Sequence, residues 1–369
     1  DGSLVNLSYN ANKITSDKSD NLYFCLAYTG QVKVYDSTGT TNIGSSTSGS
    51  RNMILKFANS GKNYKWNSTL PYSNVIVNSL KVDIHENVYV VGYWTGLSAI
   101  SFKGKSLSNP QSGTGAVFIW DKNGNDKQFF YVKASDKVST LSDITVYDSN
   151  SVFISGAYQG DSALFDTVWK KNKKFGAYLF FAKYDINGKL KWVKIEDTTY
   201  STVVYPYNYY SGMANYKDAF VYLSIYIPYH YKESVIFDGQ KYPAKPNGYG
   251  INFKADDKGN ILWGYRTFYP FSSMGTDQYE NFYFQGGWSG DTIRFGNIKA
   301  YPNSSDGFIG KTTDYSITRG NVFAGPYCAG DTIKVPFTKQ GDFDTSNYFI
   351  AELSDEFGVF DGNERELGR

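Results

Sequence analysis

Side chains able to do acid–base, nucleophilic or metal chemistry are few in this chain and far apart. There are two histidines, His85 and His230, separated by 145 positions, and two cysteines, Cys25 and Cys328. No Cys/His pair has zinc spacing, and two cysteines make no disulfide framework. Cys25 reads as a small buried apolar residue, whereas Cys328 either pairs beyond residue 369 or stays free. His230, between Tyr229 and Tyr231, has no second histidine near it with which to share a base or ligand role. Asp121-Lys122-Asn123-Gly124-Asn125-Asp126 has the acid density of a calcium loop. The EF-hand glycine belongs at position six, however, and here it stands at four, so the segment reads as a hairpin turn. Acid pairs such as Asp256-Asp257 also fall in turns, and glycoside hydrolysis needs two carboxylates held about 5–9.5 Å apart. The expectation is therefore no catalytic residue, no metal site and no cofactor.

Composition limits the rest. The 369 residues carry 37 Lys plus Arg against 35 Asp plus Glu, a net charge of +2, so no broad field draws the chain to nucleic acid. Mean hydropathy is −0.42, and no apolar run approaches the roughly 20 residues of a membrane-spanning helix. No membrane span is expected in this segment. Tyr (33), Phe (26) and Trp (7) dominate, with 36 Gly and only 3 Met. Aromatics fit flat, half-buried strands, and glycine fits tight turns.

The elements that must carry these residues repeat. Five segments begin with a short aromatic strand: Asn21-Leu22-Tyr23-Phe24, Asn87-Val88-Tyr89-Val90, Ser151-Val152-Phe153-Ile154, Phe220-Val221-Tyr222-Leu223 and Asn281-Phe282-Tyr283-Phe284. Their aromatics recur at spacings of 66, 64, 69 and 61 residues. A turn glycine follows seven residues later in four copies (Gly30, Gly96, Gly160, Gly290), and Tyr229 replaces it in the fourth repeat. A second strand is expected at Tyr35, Phe102, Phe165, Phe237 and Phe295, and a third at Leu55, Phe118, Phe181, Ile251 and Phe308. Next come tight hairpin turns at Gly61, Gly124, Gly188 and Gly259, which the fifth copy breaks with Thr312-Thr313-Asp314-Tyr315. A fourth strand carries Trp66, Phe129, Trp192 or Trp263. Four antiparallel strands cannot bury both faces alone, and radial stacking in a β-propeller would do so. A linear solenoid needs a shorter repeat, and separate immunoglobulin-like sandwiches need ~100 residues each.

Asn87-Val88-Tyr89-Val90-Val91-Gly92-Tyr93 and Phe181-Ala182-Lys183-Tyr184-Asp185-Ile186-Asn187-Gly188-Lys189-Leu190-Lys191-Trp192 resemble the SBBP-type β-propeller repeat. The resemblance covers residues 1–323 and implies an all-β propeller of four-stranded blades. That family recurs in secreted and surface proteins of bacteria using type IX secretion, mostly without enzymatic assignment. Asp1-Gly2-Ser3-Leu4-Val5-Asn6 aligns with Asn187-Gly188-Lys189-Leu190-Lys191-Trp192, so the first strand either closes the ring or follows an upstream blade. Tyr327 to Phe337, with Phe349 to Asp355, resembles the start of an Ig-like domain, giving a partial β segment over 324–369.

In the propeller family, two sets of loops share one face. Mapped onto this sequence, that face receives Tyr72, Tyr200, Tyr205, Tyr207, Tyr209, Tyr210, Tyr242, Tyr249, Tyr269, Phe271 and Tyr301. Tyrosine pairs a flat apolar ring with a hydroxyl, suiting sugar rings or protein partners; equally, these rings could simply pack over blade edges. Ser162, Thr167, Thr198, Thr292 and Thr332 follow Asp in a pattern resembling the O-glycosylation signal of exported proteins in the same bacteria. The expectation is a non-catalytic, extracellular or outer-surface binding or structural module of a larger, adhesin-like protein. Its ligand would be a glycan or protein on the Tyr-rich face. A propeller-fold polysaccharide-degrading enzyme, glycoside hydrolase or lyase, is the competing reading. A third is a scaffold partnered with secretion or motility machinery.

Overall fold

A computed structural model describes the chain from Lys13 to Gly368. It leaves aside residues 37–38, 59, 71–74, 97–98, 108–112, 137–138, 149, 198–210, 218, 228–233, 244–248, 268–270, 272, 278–280, 290–292, 296–297, 301–304, 313–315, 320–335, 341–350 and 354–364. Every regular element among the described residues is a β-strand. The chain divides into two units, residues 1–276 with 283–310, and residues 277–282 with 311–369.

Sheet I is an antiparallel meander of β1 (Lys13–Ser16), β2 (Leu22–Asp36), β3 (Gly39–Ala58) and β4 (Asn63–Thr69). The second repeat supplies β5 (Val75–Val82), β6 (Val88–Trp94), a short pair β7 (Ile100–Phe102) and β8 (Lys105–Leu107), then β9 (Thr114–Trp120) and β10 (Asp126–Ala134). Its sheet II runs β5-β6-β9-β10. Sheet III comprises β11 (Ser139–Val146), β12 (Val152–Phe165), β13 (Val168–Tyr184) and β14 (Leu190–Ile195), and the far end of β12 also pairs with β10. The fourth repeat supplies β15 (Ser211–Tyr216), β16 (Phe220–Ile227), the pair β17 (Val235–Phe237) and β18 (Gln240–Tyr242), then β19 (Tyr249–Asp256) and β20 (Ile261–Thr267). Sheet IV has the order β15-β16-β19-β20. A fifth repeat has β21 (Ser273–Thr276), β22 (Phe282–Ser289), the pair β23 (Ile293–Phe295) and β24 (Ile298–Ala300), and β25 (Ser305–Thr312). Its sheet order is β21-β22-β25. Further on, β26 (Ser316–Arg319) pairs with β27 (Phe337–Gln340), and β28 (Ala351–Leu353) with β29 (Arg365–Gly368).

Sheets I and IV have four strands each, and sheets II and III contribute four each to one eight-stranded sheet joined through β10 and β12, but these are not the four strands expected. The aromatic strand is second in its sheet, preceded by β1, β5, β11 or β15. The Phe102, Phe237 and Phe295 segments are not ladder strands; each opens a detached two-stranded hairpin. Phe165 and Tyr35 lie at the far ends of the long strands β12 and β2 instead. Strands such as Val75–Val82 and Ser139–Val146 escape the sequence pattern because they mix polar and apolar residues and carry neither aromatics nor glycine.

Alternating side chains serve opposite neighbours. From β6, Val88 and Val90 pack with Tyr23, Cys25 and Ile54 of sheet I. Tyr89 and Val91 point the other way, into a cluster with Ile144, Ile154 and Phe180 of sheet III. Phe153, Leu179 and Phe181 then meet Val221, Leu223, Ile251 and Phe253 of sheet IV. Each interior sheet buries both faces only because another lies on either side, at about 1.5–3 kcal/mol per large apolar side chain. The result is a propeller-like succession of stacked antiparallel sheets.

An aromatic peg registers each sheet on the next. Trp66 of β4 donates its Nε1–H to the Lys122 carbonyl at 2.9 Å, and its ring covers Gly124. Trp192 of β14 does the same to the Asp257 carbonyl at 2.8 Å, over Gly259. Between sheets II and III the task is divided. Gln128 Nε2 donates to the Asn187 carbonyl at 2.7 Å, while the Phe130 ring covers Gly188. Phe129 is not the counterpart of Trp66: it sits opposite Phe118, and Gln128 stands opposite Ile119 where Trp66 stands opposite Lys56.

Candidate functional site

One side-chain device recurs at two turns of the repeat. Between the first and second strands, Asp83 Oδ1 accepts from the backbone N–H groups of His85 (2.9 Å) and Asn87 (2.8 Å). Its Oδ2 accepts from Asn87 Nδ2 (2.7 Å) and from the Tyr89 hydroxyl (2.8 Å). Asp17 holds Ser19, Asn21 and Tyr23 in the same way. Between the third and fourth strands, Asp121 clasps Asn123 and Asn125, and Asp256 clasps Lys258 and Asn260. Burial raises the carboxyls of Asp17, Asp121 and Asp256. The hydrogen bonds they accept outweigh that effect and hold all three below the ordinary carboxylate value. The 121–126 segment is thus a hairpin turn whose first carboxylate is filled by its own turn.

These turns of sheet II line an open cleft of about 540 Å³ formed by Ile84, His85, Glu86, Asn87, Asp121, Lys122, Asn123 and Lys127. Both of its acids are engaged. Glu86 pairs with Lys56 from sheet I, and Asp121 serves its turn. Lys127 Nζ donates to Asn87 Oδ1 at 2.6 Å. The cleft presents polar donors and acceptors, with the His85 imidazole among its lining residues. Among the described residues, no group of three His, Cys, Asp or Glu could hold a metal ion.

A second polar cluster lies on the first strands of three sheets. Asp143 of β11 accepts from its neighbour Ile144 N–H at 2.8 Å and from Met213 N–H of β15 at 2.6 Å, and Ser79 of β5 also donates to it. Burial pushes its carboxyl above the ordinary value, opposed by Lys81 and these donors. β-Bulges at Asn78 and Ser142 shape the two strands. Each bulge brings a carbonyl over the second strand, and only glycine fits beneath. A Cβ at Gly92 would stand 1.8 Å from the Ile76 oxygen, and one at Gly156 would stand 2.1 Å from that of Thr140. Gly three residues after the strand aromatic was the legible signal; nothing in the sequence marked Asp143.

Of the expected tyrosine surface, Tyr72, Tyr200, Tyr205, Tyr207, Tyr209, Tyr210, Tyr269 and Tyr301 lie outside the described residues. Tyr242 is a core residue, its ring edge-on to Phe253 and its hydroxyl donating to Gln240 at 2.8 Å. Burial raises that hydroxyl to about 12. Phe271 is also buried, stacked on Phe284. Ser162 is buried with its hydroxyl on Asp161, while Thr167 is exposed at a hairpin turn. Thr198, Thr292 and Thr332, with Cys328 and His230, lie outside the described residues. Cys25 is buried, and burial pushes its thiol to about 12, which makes it inert.

No protein-family model matches the chain. No curated protein matches it either. Among solved structures it is similar to the Dos1 propeller, at 10% identity and a TM-score of 0.30, over 74% of this chain and 67% of that one. So loose a superposition leaves the fold to be argued from this chain's own sheets. No helix among the described residues is long and apolar enough to cross a membrane.

Proposed function

We propose that this chain is a non-catalytic binding or structural module of a larger secreted or cell-surface protein, built as a β-propeller of the SBBP type. The observation that carries the reading is the peg-and-turn registry of successive sheets, with Trp66, Gln128, Phe130 and Trp192 each locked onto the following repeat. Such a stack is a rigid platform, which a binding surface needs and which pre-organises its loops. The acids of the described cleft are committed to structure, which favours holding over turnover. Its ligand is a glycan or a protein, met on the tyrosine-rich loops. Residues 324–369 begin an Ig-like domain, and Thr167 is the exposed candidate for O-glycosylation; the intact mass of native material, compared with that of the bare chain, tests the modification.

A polysaccharide-degrading enzyme keeps one observation in its favour, the buried Asp143 carboxyl with its raised proton affinity. Glycan-array binding beside reducing-sugar release separates the two. Binding without new reducing ends is the expected outcome. Release that vanishes in an Asp143→Asn variant of native stability would overturn the module reading.

A further inference from the structure

We propose that the hairpin of the third repeat is a platform for a linear acidic polysaccharide. Trp169 would stack on a sugar ring, and Lys171, on the same face of the strand, would meet its carboxylate or sulfate groups. The inference rests on the binding-module reading and gives it a ligand class at a place apart from the tyrosine-rich loops.

Comparison between repeats isolates the feature. The hairpins of repeats two and four run Phe102-Lys103-Gly104-Lys105-Ser106-Leu107 and Phe237-Asp238-Gly239-Gln240-Lys241-Tyr242, and each ends on a buried residue, Leu107 or Tyr242. The third runs Phe165-Asp166-Thr167-Val168-Trp169-Lys170, with an exposed lysine where the others return to the core. Among the described residues, three of the ten exposed large apolar side chains fall within this one stretch: Val168, Trp169 (49% exposed) and Phe175. By contrast, Trp94 and Trp120 are fully buried, and Trp66 and Trp192 are pegs. Between Trp169 and Phe175 the sequence reads Lys-Lys-Asn-Lys-Lys, four lysines in five residues of a chain whose net charge is only +2.

The hairpin is held firmly from behind. Phe165 and Ala163 belong to the core shared by sheets II and III, and Phe165, Leu164 and Ala163 pair with Val132, Lys133 and Ala134 of β10. Leu164 is also the register partner of Trp169, so Lys133, Leu164 and Trp169 form one row across three strands. Alternate side chains along a strand stand about 7 Å apart, so Lys171 follows Trp169 on the same face. Lys170 and Lys171 make no salt bridge with any described residue. Asp161, whose charge Lys171 senses, already accepts from the hydroxyls of Ser135 and Ser162.

Lysines on an edge strand can serve only to block edge-to-edge pairing. That role has no use for an exposed indole beside them. A ring followed by a cation on the same face of an edge strand anchored to the sheet behind it matches a chain of sugar rings bearing regular negative charge. A bilayer asks for a broader apolar face than this ribbon offers.

The full chain is tested against immobilised heparin and polygalacturonate. Neutral dextran, double-stranded DNA and phosphatidylglycerol vesicles serve as comparisons. Wild type is expected to bind the acidic polysaccharides and not dextran. K171E should lose at least fivefold in affinity, K171R should retain it, K170E on the opposite face should cost less than twofold, and Trp169→Ala should weaken polysaccharide binding about fivefold while leaving any residual DNA binding unchanged. All these positions are exposed, so thermal unfolding should stay at the wild-type value. No binding to either polysaccharide, indifference to Trp169→Ala, or tighter binding to vesicles or DNA would overturn the proposal. If these variants leave glycan-array binding intact, this site fails while the module reading stands. Loss of all binding together with reducing-sugar release removes both.

Discussion

Asp83 shows how much structure one carboxylate carries here. It accepts four hydrogen bonds, two from backbone, one from Asn87 and one from Tyr89 in the core. Asp83→Ala should cost about 2–4 kcal/mol, because the buried Tyr89 hydroxyl and Asn87 amide lose their acceptor; chemical denaturation with an unchanged slope checks it. Other turn acids set the acid limit. Asp17, Asp121, Asp185 and Asp256 all have folded-state pKa values below the ordinary one, so folding favours their ionised forms. That contribution is complete above pH about 4 and is lost as the pH falls through the lowered values. Asp143 acts oppositely: its raised value stabilises at low pH, and that gain disappears as the pH rises past about 4. Melting temperatures from pH 6 to 2 should therefore drop below pH 4. The turn acids were legible in the sequence as turn acids. Their reach into the core was not, since the partner hydroxyls of Tyr23 and Tyr89 lie six residues away in an apolar-looking strand.

At the scale of the element, the pegs decide whether neighbouring sheets keep their spacing. Trp192→Ala removes the ring over Gly259 and the indole bond to Asp257, and should destabilise by about 2–4 kcal/mol. Gly124 has φ +83°, and a Cβ there would stand 2.7 Å from Trp66, so Gly124→Ala combines backbone strain with a clash. Its cost should be about 1–3 kcal/mol and should shrink in a Trp66→Ala background, which a double-mutant cycle measures. Additive losses would mean that Trp66 and Gly124 do not touch. Gly92→Ala, under the Ile76 carbonyl, should be at least as damaging as Gly124→Ala, because backbone cannot swing aside as an indole can. The period, the hairpin turns and three of the strands per sheet were readable from aromatic and glycine spacing. In sheets II and III the first strand was not, because its bulge breaks the alternation that would reveal it: Asn78 shifts every residue after it to the opposite face. Of the expected tyrosine surface, Tyr242 escaped for a related reason. Tyr242 looks like a loop residue in sequence, yet its detached hairpin folds it back onto Phe253.

For the molecule as a whole, the account depends on sheets that are stable only in company. Both faces of sheet II are apolar, each given to a different neighbour. A fragment holding that sheet alone should fail to fold, while residues 13–267 should unfold in one cooperative step. The resulting stack holds the polar cleft and the lysine-rich hairpin on its strands, the two surfaces on which the proposed binding role rests. An experimental density map of the intact chain tests this most directly. It should show sheets I to IV face to face in chain order, with the Trp66 indole over Gly124 and the Trp192 indole over Gly259. Sheets laid side by side, with those two indoles in solvent, would contradict it.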